Sequence, residues 1–416
     1  MKISISSEKF PMSMSEIFCL VMIKINKLYS AVFIESYLEF ALDKVVLPRI
    51  SEMLTKVPAA QRGEVRNAFT KVELIRMLTE RPEVLENIAV GLFDKFPAIA
   101  ERYCYSFLLE RITLPEQARY LDLSSSVERA EFDRAIEETI DALETLTSEH
   151  SLHLTPHYLK LLGSSETRSK KRRYLCRLIN AQKGKSPVTE ADREIFPKWI
   201  NDLVRCFDYE VVAGEFAQKI IDQLAVTVCP YCGIESVQSI PKINVRPELD
   251  HFFPKSRFPF LAISLYNLMP AGWICNQRHK RNNSMLGRLN PYSIGFEHGT
   301  VFKFGFLPGG DIRDNMSIEI LPQACDLKDG HVKMFKLEAL YDGTEDLREW
   351  LADKYEAHAW LKEVGRLGEV DFGTHPYRSY IDLRRPVTKV RAQKFMVDAL
   401  NDLFNQSLEV VPAPIA

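Results

Sequence analysis

Four short motifs follow one another between residues 229 and 276. They are Cys229-Pro-Tyr-Cys232, Leu249-Asp250-His251 with Pro254-Lys255 just beyond it, Asn267-Leu-Met-Pro270, and Cys275-Asn276. A neutral imidazole takes a proton from water near physiological pH, so His251 is the candidate general base. Successive side chains on a strand face opposite ways, so Asp250 would point away from His251. Of the eight cysteines, Cys229 and Cys232 form the one closely spaced pair. That pattern points to metal chemistry in a reducing compartment and away from a disulfide scaffold. Taken singly, each motif is bland: an Asp-His pair suits a surface strand, and a lone Asn is ordinarily a turn residue. Their conjunction suggests a site.

Together, from Val226 to Tyr292, the motifs resemble the HNH (ββα-metal) endonuclease family. The stretch looks like the HNH effectors of bacterial anti-phage defence systems, of the Septu and retron-associated kinds. The resemblance implies hydrolysis of phosphodiester bonds in DNA, with RNA left open. The catalytic set it implies is His251, Asp250, Asn267 and Asn276. In it, Asp250 and Asn276 hold one Mg²⁺ or Mn²⁺, a hard ion that suits oxygen ligands. Asn267 would act indirectly, tying the loop between strand and helix. Many HNH proteins also carry a structural Zn²⁺ on two CxxC knuckles. Here Cys229 and Cys232 make the first, but the second has only Cys275, with Gly272 three residues earlier. His279, four residues after Cys275 on the expected helix, is a candidate fourth ligand, and His298 a more distant one. The alternative is that the cysteines pack as small hydrophobes. His279 also stands where many family members have a lysine, which makes it a candidate phosphate contact instead.

Charge is focused on the same stretch. Between Ala225 and Tyr292, Lys242, Arg246, Lys255, Arg257, Arg278, Lys280, Arg281 and Arg288 face only Glu235, Glu248 and Asp250, in a chain of net charge -2. Such focusing suits a phosphate backbone, and Lys255, Arg257, Arg278, Lys280 and Arg281 are the expected nucleic-acid contacts. A second basic run, Arg168 to Lys185, is either a grip on DNA or a solvated helix face. A third, Arg384 to Lys394, is interleaved with acids and expected to form salt bridges. Nothing resembles a sequence-reading helix, so specificity would have to come from the flanks or from a partner. The systems this stretch resembles pair the nuclease with an ATPase, and this chain shows no Walker A motif, so an ATPase or other defence-system partner is expected. Two alternatives stand beside that reading: a stand-alone restriction-like or homing-type nuclease, and a non-catalytic nucleic-acid-binding scaffold that keeps the ββα fold.

The elements that must position these residues read as an α+β protein, mostly helical, with a central ββα-metal module and a minor β-rich segment after it. The expected division is a helical region over 1–185, a nuclease module with its leading helix over 186–295, and a mixed β-then-helical region over 296–416. Ser13 and Glu16 make a capping-box start for a helix through Ile17 and Leu20. Val127 to Leu146 has apolar residues at helical spacing. Thr189 and Asp192 start another helix toward Phe207, which Pro197 would kink or break. Val226–Gly233 and Ile243–Phe253 read as the two arms of a small hairpin. Residues 299–322 read as β, and the last sixty residues as helical. The apolar run Ile17–Ile23 is too short to span a bilayer, so no membrane association and a cytoplasmic location are expected.

Overall fold

The computed structural model describes residues 22–414, apart from 186–187, 244, 296–298, 308, 310 and 322–329. Helices dominate, and the described strands form two small antiparallel sheets, so the chain is a mostly helical α+β protein. Among the described residues, no helix is long and apolar enough to cross a membrane. The expected helix at Ser13–Val21 and the candidate ligand His298 lie outside the described residues.

Local sequence signals account for several helix starts. Ser125 caps the helix Ser126–Glu149 by accepting the Glu128 N–H. Thr189 and Asp192 form a reciprocal capping box, but the helix they start is only Glu190–Arg193. Pro197 breaks the run, and a fresh helix, Lys198–Cys206, begins behind it. Asp208 then caps the helix Tyr209–Leu224, which leads into the motif region.

The strand pairing differs from the expected hairpin. β1 (Glu248–His251) pairs with β2 (Leu268–Ala271), not with Val226–Gly233, and Asp250 stands opposite Met269. Residues 226–233 instead curl: the Gly233 N–H donates to the Cys229 carbonyl, and the Cys229 N–H to that of Glu235. A segment bonded to itself in this way brings its thiols together and cannot offer a ladder to β1. β3 (Phe302–Phe306) pairs with β4 (Met316–Ile320). The helices Glu345–Glu363 and Gln393–Phe404 follow.

One hydrophobic core runs from Ile25 to Ala399 and draws on helices, motif region and β3–β4 alike. Phe93 in the N-terminal helices meets Phe258 at 5.5 Å and Phe260 at 5.7 Å. Tyr37 meets Phe216 edge-on at 5.0 Å. The motif region thus packs against the N-terminal helices and, through the Tyr231–Phe335 stack at 4.6 Å, against the later helix His331–Phe335.

Candidate active site and metal centre

β1, the start of the helix Tyr209–Leu224 and the helix Ile274–Lys280 frame a cleft of about 490 Å³ lined by Asp250, His251, Asn276, Lys255 and Arg281. His251 lies on its wall, 7% exposed, with the Tyr209 ring edge-on at 4.5 Å. Its Nε2 is 2.9 Å from the Ala262 carbonyl oxygen. A carbonyl only accepts, so Nε2 carries the proton and Nδ1 is the unprotonated nitrogen of the neutral ring. Burial pushes the imidazole pKa down to about 4, more strongly than the neighbouring Asp250 charge raises it.

Asp250 faces the other way, also buried. Its Oδ2 accepts from the Tyr231 hydroxyl at 2.6 Å, and its Oδ1 from Lys280 Nζ at 3.0 Å. A carboxylate has about four acceptor positions, so two remain for a further ligand. Asn276 sits on the same cleft. Its Nδ2 donates to Glu248 Oε2 at 2.9 Å, and Gln277 donates to the same oxygen at 2.8 Å. Because a carboxylate cannot donate, the amide must turn its nitrogen to Glu248, which leaves Oδ1 as its outward acceptor.

Asn267 is fully buried at the end of the loop between the strands. Its Oδ1 accepts the Phe253 N–H at 2.7 Å, and its Nδ2 donates to the carbonyls of Phe253 and Leu261 at 3.0 and 2.8 Å. It does not line the cleft; it staples the backbone on both sides of His251's loop. The cleft and the staple therefore bring together all four residues singled out for catalysis, in two separate roles.

The cysteines converge as well, with a different fourth member from the one expected. Cys229, Cys232, Cys275 and Glu235 can each offer one ligand atom, all within 4.8 Å of one another. His279 is not part of this group. The helix Ile274–Lys280 is π-wound, with the Arg281 N–H bonded back to Asn276 O at 2.9 Å. The wider turn carries residue 279 off the face that an α-helix would give it over Cys275. Glu235 fills the gap left at Gly272: a Cβ there would lie 2.2 Å from Glu235 Oε2. Glu235 also accepts the Ile274 and Cys275 N–H groups at 2.9 and 3.1 Å, capping that helix. Burial opposes a thiolate at Cys232, but bonds from Cys229 and Cys275 and from the Glu235 and Ile234 N–H groups outweigh it and hold its pKa well below the usual thiol range. Three sulfurs and a carboxylate are a donor set that fits Zn²⁺.

The expected phosphate contacts separate into two groups. Lys255 and Arg281 line the cleft, as does Arg246, with Lys255 also paired to Glu210 at 2.8 Å. Arg278 stacks on the exposed Trp273 at 4.8 Å. Arg257 is a correction: it is 8% exposed and bonds to the carbonyls of Asn282 and Gly184, tying the motif region to the N-terminal helices. Lys280 is a second correction, because it is 1% exposed and committed to Asp250 and the His251 carbonyl. In the helix Arg168–Gln182, Arg168 pairs with Asp133, Lys170 with Glu166 and Arg177 with Asp192, so much of that run is balanced locally. The last basic group pairs as expected, Arg391 with Asp346 and Lys394 with Asp398.

Sequence reasoning missed Glu235, Tyr231 and Glu248. Glu248 had a signal, since it shares a strand face with Asp250 two residues on. Tyr231 lay inside the CxxC turn, and nothing in its spacing pointed to Asp250. No protein-family model, curated protein or solved structure matches this chain.

Proposed function

We propose that the chain is an HNH-type, metal-dependent endonuclease that hydrolyses phosphodiester bonds in DNA. The observation that carries this reading is His251: a buried, neutral imidazole with Nδ1 unprotonated, on the wall of a cleft that Asp250 and Asn276 also line. In the reaction, His251 Nδ1 takes a proton from water as its oxygen attacks phosphorus, and the bond to the 3′ oxygen breaks. The Ala262 carbonyl fixes the tautomer. Glu248 turns the Asn276 oxygen outward, while Tyr231 and Lys280 hold the Asp250 carboxylate. Lys255, Arg246 and Arg281 orient the phosphate chain. A Mg²⁺ or Mn²⁺ ion held by Asp250 and Asn276, both oxygen donors with acceptor positions to spare, would supply charge neutralisation on the phosphate and the leaving oxygen.

The same reading makes the cysteine cluster a structural Zn²⁺ site of three thiolates and Glu235. The chain would act as an anti-phage effector together with an ATPase or other defence-system protein. That last part rests on the motif resemblance alone.

The decisive experiment incubates purified protein with plasmid, linear duplex, single-stranded DNA and RNA, with Mg²⁺ or Mn²⁺, alone and with the candidate partner. Metal-dependent cutting that His251→Ala abolishes is the expected result. Wild type and His251→Ala behaving alike under every condition would sink the nuclease reading, and sequence-specific cutting by the isolated chain would sink the need for a partner. Metal analysis should find about one Zn²⁺ per chain, lost in Cys229→Ser.

A further inference from the structure

Lys280 is the least expected group in the cleft. Its ammonium is almost sealed from solvent, 3.0 Å from Asp250 Oδ1 and 2.6 Å from the His251 carbonyl oxygen. The π-turn places it there by setting the fifth residue after Cys275 inward. So buried a lysine, with donors already directed to two oxygens, is not a phosphate contact. It is a resident counter-charge on the carboxylate that the nuclease reading assigns to the metal.

The consequence follows from the charges lining the cleft. Arg246, Lys255, Lys280 and Arg281 face Glu248 and Asp250, an excess of two positive charges. Glu210, which pairs with Lys255 from outside, reduces the excess to one. A divalent cation entering alone meets a positive wall and a carboxylate already neutralised. A phosphate chain reverses that balance.

We propose that Lys280 makes divalent-cation binding in this cleft depend on nucleic-acid phosphate, so that ion and substrate bind together rather than the ion first. The inference rests on the nuclease reading above. Linkage then requires reciprocity: whatever factor the nucleic acid adds to cation affinity, the cation adds to nucleic-acid affinity.

The test uses the full chain carrying His251→Ala, which binds without cutting. Free Mn²⁺ is read by EPR with and without a short duplex, and an Asp250→Asn version marks the portion bound in the cleft. Mn²⁺ affinity should rise by about tenfold or more with duplex, and duplex affinity should rise by the same factor with Mn²⁺. Adding Lys280→Gln should raise Mn²⁺ affinity without duplex by about fivefold and cut the duplex effect to about twofold. If that variant does not fold, Lys280→Met takes its place, and an unchanged Mn²⁺ affinity without duplex in either variant overturns the role of Lys280. Equal Mn²⁺ affinity with and without duplex overturns the inference even where wild type cuts DNA. A wild type that cuts no nucleic acid overturns the nuclease reading instead.

Discussion

At the scale of single residues, the titration of His251 and the room at Gly272 make the sharpest predictions. The folded pKa of His251, about 4, lies below the ~6.5 of a free imidazole, so the unfolded chain binds the extra proton between those values. Its contribution to stability is therefore fully present above pH ~6.5 and lost as pH falls toward 4, on the order of 3 kcal/mol in all. On the nuclease reading, the acid limb of the cutting rate should fall near pH 4; a limb at pH 6.5 would show that the base is not this buried imidazole. Gly272 has a different constraint. Gly272→Cys alone should destabilise by about 1–3 kcal/mol, because its Cβ meets Glu235. Pairing it with Glu235→Ala should restore both the thermal midpoint and a metal site, now of four thiolates. Failure of the double variant to bind Zn²⁺ would mean that Glu235 does not stand in for a knuckle cysteine.

At the scale of elements, the strand-to-helix unit is held by its ends. Asn267→Ala leaves the buried Phe253 N–H and carbonyl unpaired and takes one of two donors from the Leu261 carbonyl, and should cost at least about 2 kcal/mol, read from the denaturant midpoint. Arg281 closes the π-turn at φ 51° and ψ −128°, a strained conformation for a residue with a side chain. Arg281→Gly should therefore stabilise the fold by about 1 kcal/mol. On the nuclease reading it should also lower the salt slope of duplex binding by about one, since a cleft cation is lost. An unchanged slope would remove Arg281 from the phosphate contacts. Cysteine spacing cannot foretell a π-turn, because one extra residue per turn is settled by what the helix packs against. Here the inward residue is Lys280 on Asp250.

At the scale of the molecule, a single core crosses both of the divisions drawn from composition. The Phe93 contacts with Phe258 and Phe260, together with Arg257 bonded to Gly184, join the N-terminal helices to the cleft region. Residues 186–295 expressed alone should lack cooperative unfolding by circular dichroism, and Phe93→Ala should cost about 3–5 kcal/mol in the full chain. An independently folded 186–295 fragment would contradict this.

The sequence by itself determined the apolar stripe of the helix Ser126–Glu149, an interruption at Pro197, the β character around residues 302–320 and the helical C-terminal region. Those features depend on neighbours a few residues away. It also brought His251, Asp250, Asn267 and Asn276 under suspicion, because residue type and order carry their chemistry. Tertiary structure alone decided which strand pairs with β1, that Glu235 and not His279 completes the cysteine cluster, and that Lys280 and Arg257 turn inward. Each of those outcomes depends on space and charge supplied by segments distant in sequence: the open position at Gly272, the carboxylate of Asp250 and the backbone of Gly184.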